Sequence, residues 1–139
     1  MKLVVDASVA AKWFNVEELS DKAAYVKDAH VKGDIDLAAP IHLLYEVGNS
    51  IWKNKQLSDN DACDAISSII RLDIQLIEPT VQRAQRAMEL ARQVETSFYD
   101  AVYLQAAEEM KIPLLTADQK QITAGRGVAR MLDLGEAKV

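Results

Sequence analysis

The chain has one cysteine and two histidines among its 139 residues, and this scarcity limits the sites that it can build. A single cysteine, Cys63, excludes a disulfide framework and a cysteine-based zinc site. We expect Cys63 to be a small buried side chain on an apolar helix stripe. His30 and His42 lack metal-ligand spacing, and neither is assigned to a site. The groups that remain for chemistry are carboxylates.

Long apolar runs and an excess of positive charge are also missing. No run approaches the roughly 18 residues of a membrane span, and the apolar start before Asp6 is too short for a signal peptide. We therefore expect a cytoplasmic protein with no membrane partner. The net charge of -5 argues against a protein that coats nucleic acid through bulk positive charge. It leaves a nuclease possible, because bound cations offset nuclease carboxylates.

Glycine and proline are few, five and three, and this favours several helices. Apolar runs alternate with helical patterns, which predicts an α/β fold with a mainly parallel central sheet of four to five strands flanked by helices. We expect one domain over residues 1–139. The predicted strands are Leu3–Val5, Ile35–Pro40, Ile74–Ile77, Leu114–Leu115 and Val128–Met131. The predicted helices begin at Ser8, Ser20 or Asp21, Ile41, Ser58, Thr80, Ser97 and Asp118.

Two of the predicted strands end at an aspartate. Leu3–Val5 leads to Asp6, and Leu114–Leu115 leads through Thr116 to Asp118. In a parallel sheet both aspartates face the same edge, where ligands of such sheets gather. Ser8 and Thr116 lie two residues from these aspartates, and their hydroxyls could bond to the carboxylates or to a metal-bound water.

Two further carboxylates lie on predicted helices among apolar neighbours. Glu46 follows Leu44 and Tyr45 on the Ile41 helix, and Asn49 shares its face. Asp100 lies in the first turns of the Ser97 helix. Each acidic residue also has a purely structural interpretation: Asp6, Asp100 and Asp118 as helix caps, and Glu46 as a partner of Lys53 or another cation at the edge of the helix's apolar face. These interpretations do not explain the joint pattern, in which two strand ends and two partly apolar helical sites each place a carboxylate where the fold would bring it inward.

Several carboxylates in one pocket repel one another unless a cation neutralises them. Hard oxygen ligands select Mg²⁺ or Mn²⁺. Such an ion activates water and stabilises charge on phosphoryl oxygens. The leading hypothesis is therefore metal-dependent hydrolysis of RNA.

The sequence resembles the PIN-domain family, and within it the VapC toxins of toxin–antitoxin pairs. The segments that carry the resemblance are Val4–Ser8, Glu46 with Asn49 after Pro40, Ser97–Ala107 and Leu114–Asp118. Together they extend over nearly the whole chain. The resemblance implies a three-layer PIN fold and a Mg²⁺- or Mn²⁺-dependent endoribonuclease. It also implies a homodimer and a cognate VapB-like antitoxin that covers the acidic groove.

The resemblance also assigns residues. Asp6, Glu46, Asp100 and Asp118 match the family's acidic, metal-binding positions, Ser8 and Thr116 match its supporting hydroxyls, and Asn49 matches a frequent polar position. The segment after Asp118, Gln119–Ile122, lacks the further acidic or aromatic residue of many relatives, which puts a complete second metal site in doubt.

Two other functions compete with the nuclease. A non-catalytic PIN-like module would hold RNA or protein, but the intact set of four carboxylates disfavours it. A phosphotransferase or phosphatase would use Asp6 as its nucleophile, but such sites usually have a second aspartate two residues on, where this chain has Ser8.

Overall fold

A computed structural model describes residues 1–136 of the chain. Its strands are β1 (Lys2–Val5), β2 (Asp36–Pro40), β3 (Gln75–Ile77), β4 (Leu114–Thr116) and β5 (Met131–Asp133). They form one sheet in the order β3-β2-β1-β4-β5, and every neighbouring pair is parallel. The predicted α/β class and parallel sheet are confirmed.

Helices connect the strands. Within the described residues they are α1 (Ala7–Ala10), α2 (Ser20–Lys32), α3 (Leu43–Lys53), α4 (Asp59–Arg71), α5 (Val81–Val94), α6 (Phe98–Met110) and α7 (Gln119–Gly125), with a short 3-10 helix, Ala11–Trp13, after α1. No helix in the described part of the chain is both long enough and apolar enough to cross a membrane.

Several helix ends follow directly from the local sequence. The hydroxyls of Ser58, Thr80 and Ser97 each accept a hydrogen bond from the backbone N–H three residues on, as predicted. Gly33 ends α2 with a φ of +84°, in the left-handed region that glycine tolerates best.

Helix α6 positions much of the site. It packs on β1, β2 and β4, and most of its side chains from Ala101 to Ala107 are buried. Three of these are alanines (Ala101, Ala106 and Ala107), which let the helix approach the sheet closely. This packing fixes the first turn of α6, where Asp100 lies.

Three expectations about local structure are wrong. Ser8 lies inside α1 and does not cap it, because the helix already begins after Asp6. The last strand is Met131–Asp133 and overlaps the predicted Val128–Met131 only at Met131, since a turn occupies the residues after α7. Cys63 is exposed. Helix α4 packs mainly on α3 and buries Ile69, so Cys63 points away from the core.

Candidate active site

Asp6 and Asp118 lie where the order of the strands reverses. The chain runs outward from β1 to β2 and β3 on one side, and from β4 to β5 on the other. Asp6 follows β1, Asp118 follows β4, and these strands are neighbours with Val5 paired to Leu115. Open parallel sheets bind ligands at the carboxyl ends of the strands at such a reversal. The two aspartates therefore lie at the expected edge of the sheet.

Two hydroxyls hold the Asp6 carboxylate. Ser8 Oγ and Thr116 Oγ1 each donate to Asp6 Oδ2 over 2.7 Å, and they lie 3.2 Å from each other. The same hydroxyls accept backbone N–H groups of Ala117 and Asp118, at 3.0 and 3.1 Å. The network joins the ends of β1 and β4. Both hydroxyls bond the same oxygen, so Asp6 Oδ1 stays outside the network.

The expectation for these hydroxyls is confirmed for Ser8 and modified for Thr116. Ser8 bonds the carboxylate two residues before it. Thr116 bonds the carboxylate of Asp6 and only the backbone N–H of Asp118. The Asp118 side chain accepts from Lys120 N over 2.9 Å and caps α7, which confirms its structural interpretation as a helix cap.

Burial dominates the electrostatics of Asp6, which is 5% exposed. Desolvation raises its pKa from the usual 3.8 to about 6, although the hydrogen bonds from Thr116 and Ser8 lower it. The negative charges of Asp100 and Glu46 raise it further. The ionised form of Asp6 is thus destabilised by burial and by the charges of two other carboxylates.

Asp100 lies at the start of α6, half-buried among the other acidic residues. Its backbone N–H donates to the capping hydroxyl of Ser97 over 3.1 Å. Desolvation raises the pKa of its carboxyl, the Ser97 hydroxyl next to the carboxyl lowers it, and the charges of Asp118 and Glu46 raise it. His42 nearby lowers the pKa of Asp100. The Asp100 carboxyl therefore interacts electrostatically with both Asp118 and Glu46.

Glu46 is held by aromatic residues. Tyr103 Oη donates to Glu46 Oε1 over 3.0 Å, and His42 Nε2 lies 2.9 Å from the same oxygen. The His42 approach lacks hydrogen-bond geometry, and within residues 1–136 this buried nitrogen has no hydrogen-bond partner. Of the expected partners, Lys53 is exposed at the end of α3, and the basic side chain that lies beside Glu46 is His42.

Sequence reasoning missed His42 and Tyr103. His42 was set aside because it lacks the spacing of a metal ligand, but it lies four residues before Glu46, a spacing that places both on one helix face. Tyr103 lies three residues after Asp100, and its phenol is fully buried. A buried tyrosine needs a hydrogen-bond partner, and that requirement was the available signal.

Asn49 lies on the exposed side of α3, less than one turn after Glu46. Its predicted supporting role stays a prediction.

The four carboxylates are electrostatic neighbours, but they do not form a closed ligand cage. Within residues 1–136, no group of three His, Cys, Asp or Glu side chains is arranged to hold a metal ion. Glu46 accepts a hydrogen bond from the Tyr103 hydroxyl, and Asp118 accepts one from the backbone N–H of Lys120. The donor set itself, carboxylate oxygen throughout, fits a hard divalent cation.

The sequence of the chain matches a known protein family. Residues 3–126 match the PIN domain. The ribonuclease VapC3 of Pyrobaculum aerophilum is 33% identical over 125 residues, which are 86% of this chain and 92% of the relative.

Solved structures share the fold. The crystal structure of VapC20 from Mycobacterium tuberculosis, described as a sarcin–ricin loop cleaving toxin, has a TM-score of 0.69 at 22% identity and covers 88% of this chain and 95% of its own. DNA-bound VapBC from Salmonella typhimurium has a TM-score of 0.71 at 12% identity, over 96% and 98% of the two chains. With its acidic residues at the reversal of a parallel sheet and a match over most of its length, the chain belongs to the PIN domain family.

Proposed function

We propose that the chain is a metal-dependent endoribonuclease that hydrolyses RNA phosphodiester bonds and acts as the toxin of a VapBC-type pair. The observation that carries this is the grouping of Asp6, Glu46, Asp100 and Asp118. Burial raises the pKa of Asp6 and Asp100, and neighbouring carboxylates raise it further, Asp100 and Glu46 for Asp6, and Asp118 and Glu46 for Asp100. Such a grouping is unfavourable without positive charge. The relative VapC3, at 33% identity, is a ribonuclease.

The same four residues are the proposed ligands of Mg²⁺ or Mn²⁺. When bound, the ion supplies positive charge beside the phosphoryl oxygens and lowers the pKa of a coordinated water. Ser8 and Thr116 both donate to Asp6 Oδ2 and so hold the carboxylate in one orientation, while its Oδ1 takes no part in these two hydrogen bonds. Tyr103 fixes Glu46 in the same way. Fixed carboxylates lose little conformational freedom when they bind a cation or orient a water.

We further propose a VapB-like antitoxin as partner, a homodimer and a cytoplasmic location. Structures of VapBC proteins share this fold, which supports the antitoxin. Co-expression with a candidate VapB-like antitoxin, followed by co-purification, tests the pair, and sedimentation equilibrium tests the dimer.

The experiment that tests the activity compares three proteins on a mixed RNA pool with Mg²⁺ or Mn²⁺ and with EDTA. They are the wild type, Asp6→Asn, and Asp28→Asn, a control that makes the same change at an exposed position of α2. We expect cleavage by the wild type and the control, and none by Asp6→Asn or in EDTA.

Other outcomes would change the assignment. Equal cleavage by Asp6→Asn would point to a contaminant or to a different site. No cleavage by any protein, together with metal-independent RNA binding, would favour the non-catalytic module. Calorimetry with Mn²⁺ on wild type and Asp6→Asn separates a metal site from a mere acidic patch.

A further inference from the structure

A small cavity lies beside the acidic residues, between α5, α6 and the ends of β2 and β3. Its volume is about 210 Å³. Pro40 and Ile77, the last residues of β2 and β3, form one wall, and Ala84 of α5 and Val102 of α6 form another. No residue of the proposed metal site lines it, so it is a separate feature.

Two aromatic residues connect the cavity to the acidic site. His42 lines the cavity and lies 2.9 Å from Glu46. Tyr99 also lines it and directly precedes Asp100. The rings of His42 and Tyr99 stack, with centroids 5.5 Å apart and planes 25° apart. A group in the cavity would therefore lie next to the proposed cleavage site.

The walls of the cavity favour an uncharged occupant. They are almost entirely apolar, and the cation among them, Arg83, is already neutralised. Its Nε donates to both carboxylate oxygens of Glu109 at 3.1 Å, and its Nη1 donates to the Glu78 carbonyl at 2.9 Å. Arg83 is therefore not available to pair with a phosphate group in the cavity. The amide of Gln105 lines the same wall, and its nitrogen already donates to Glu109 Oε1 over 3.2 Å.

The size and the aromatic walls favour one flat ring. The volume lies below the roughly 300–1,000 Å³ of pockets that enclose a whole small ligand. Phe98 and Tyr99 on its wall are 39% and 63% exposed. His42 stacks on one face of Tyr99, so a base would reach the exposed part of Phe98 and the other face of Tyr99. Proteins that bind single-stranded RNA stack unpaired bases on such side chains.

We propose that this cavity is a nucleobase subsite, which holds one base of a single-stranded RNA beside the bond that is cleaved. The proposal rests on the proposed function for the polymer that carries the base. It assigns Tyr99 as the stacking residue and Ala84 as the residue whose small size keeps the cavity open. The subsite would give the enzyme its preference for a base near the cleavage position.

The test measures RNA binding without cleavage, and so it does not depend on catalysis. Asp6→Asn protein is titrated with hexamers of uridylate, cytidylate and adenylate and with a hexamer of abasic ribose phosphate. We expect at least one base hexamer to bind about tenfold more tightly than the abasic one, as one stacked base contributes. Equal binding of all hexamers would overturn the proposal.

Matched variants test whether the cavity causes the preference for base hexamers over the abasic hexamer. Ala84→Leu fills the cavity, and Gln85→Leu places the same side chain on the exposed face of α5. We expect Ala84→Leu to remove the preference over the abasic hexamer and Gln85→Leu to keep it. Tyr99→Leu should remove it and Tyr99→Phe should keep it, at an exposed position where folding is not at risk. A preference that survives both Ala84→Leu and Tyr99→Leu would overturn the assignment.

Two further measurements separate the alternatives. If Ala84→Leu converts a dimer to a monomer in sedimentation equilibrium and leaves the hexamer preference intact, the cavity is an interface between copies of the chain, and the subsite is rejected. If the wild type cleaves no RNA but the variants change the hexamer preference as expected, the proposed function fails while the base-binding cavity stands.

Discussion

Thr116 Oγ1 donates a 2.7 Å hydrogen bond to Asp6 Oδ2 across 110 residues of sequence. Charge-assisted hydrogen bonds of this kind favour the ionised carboxylate. Burial acts in the opposite direction and is the larger effect, since the pKa of Asp6 is raised to about 6. The folded chain therefore holds a proton on Asp6 more tightly than the unfolded chain does, and ionisation of Asp6 at neutral pH opposes folding.

This gives a signed prediction for stability against pH. Between about pH 4 and pH 6 the folded state binds more protons than the unfolded state, so the stability contributed by protonated Asp6 is lost as pH rises. Asp6→Asn cannot lose it. We expect the free energy of unfolding of Asp6→Asn to rise relative to wild type by about 3 kcal/mol across that window. Urea denaturation in EDTA at a series of pH values measures the difference.

The exposed variant Asp28→Asn is the control for this measurement, and its difference from wild type should stay nearly constant with pH. A constant difference for Asp6→Asn as well would mean that the carboxyl ionises at its usual pKa and that burial does not dominate its electrostatics.

Tyr103→Phe should weaken the site more than the fold. The phenol is fully buried and donates to Glu46 over 3.0 Å, and phenylalanine fills nearly the same space. We expect unfolding free energy to fall by about 1 kcal/mol. Loss of a group that orients a proposed metal ligand should lower Mn²⁺ affinity or RNA cleavage by about tenfold to a hundredfold. Calorimetry and initial cleavage rates measure these effects.

Tyr25→Phe makes the same change on the exposed face of α2 and should alter neither quantity. If Tyr103→Phe lost stability but kept full Mn²⁺ affinity and cleavage, Tyr103 would be a packing residue only.

Ser97→Ala and Ser58→Ala form a matched pair. Each serine caps a 13-residue helix and accepts a backbone N–H at 3.1 and 3.0 Å, respectively. Each loss should reduce stability by about 1 kcal/mol. Ser97 caps the helix whose first turn carries Asp100, whereas Ser58 caps α4, which carries no proposed site residue. Only Ser97→Ala should therefore also reduce RNA cleavage. Equal cleavage by both variants would show that the cap does not position Asp100.

The sequence was sufficient where a local pattern determines the structure. Apolar runs ending at Asp6 and Thr116 predicted two parallel strands, and capping serines predicted where α4 and α6 begin. It was insufficient where a partner comes from a distant part of the chain. The local sequence predicts Lys53 or another cation as the partner of Glu46, but the tertiary fold brings Tyr103 to it from 57 residues away.

Burial of a helix face was the other weak point. The apolar stripe of α4 predicted that Cys63 would be buried, but one neighbouring helix covers only part of that stripe. Ile70, from the same stripe, is exposed for the same reason. Periodicity identifies an apolar face, but it does not determine how much of that face the fold covers.

Gly125 is the position where α7 meets the core most closely. A Cβ atom there would lie 2.5 Å from Met131 Sδ and 2.6 Å from Leu104 Cδ2, closer than real carbon atoms approach. Gly125→Ala must therefore shift both of these side chains, and overpacking of this kind destabilises by about 1–3 kcal/mol. Because Asp118 caps α7 and Gln121 of α7 donates to the Asp100 carbonyl over 3.0 Å, the shift should also reduce RNA cleavage.

Gly127→Ala is the control for that substitution, because a Cβ at Gly127 meets nothing within 4 Å among the described residues. Its effect on unfolding free energy should stay within about 0.5 kcal/mol. Thermal and urea unfolding of both variants, with cleavage rates at equal protein concentration, decide the matter. Equal stability of the two variants would mean that Met131 and Leu104 move aside freely, and that close packing at Gly125 does not hold α7 in place.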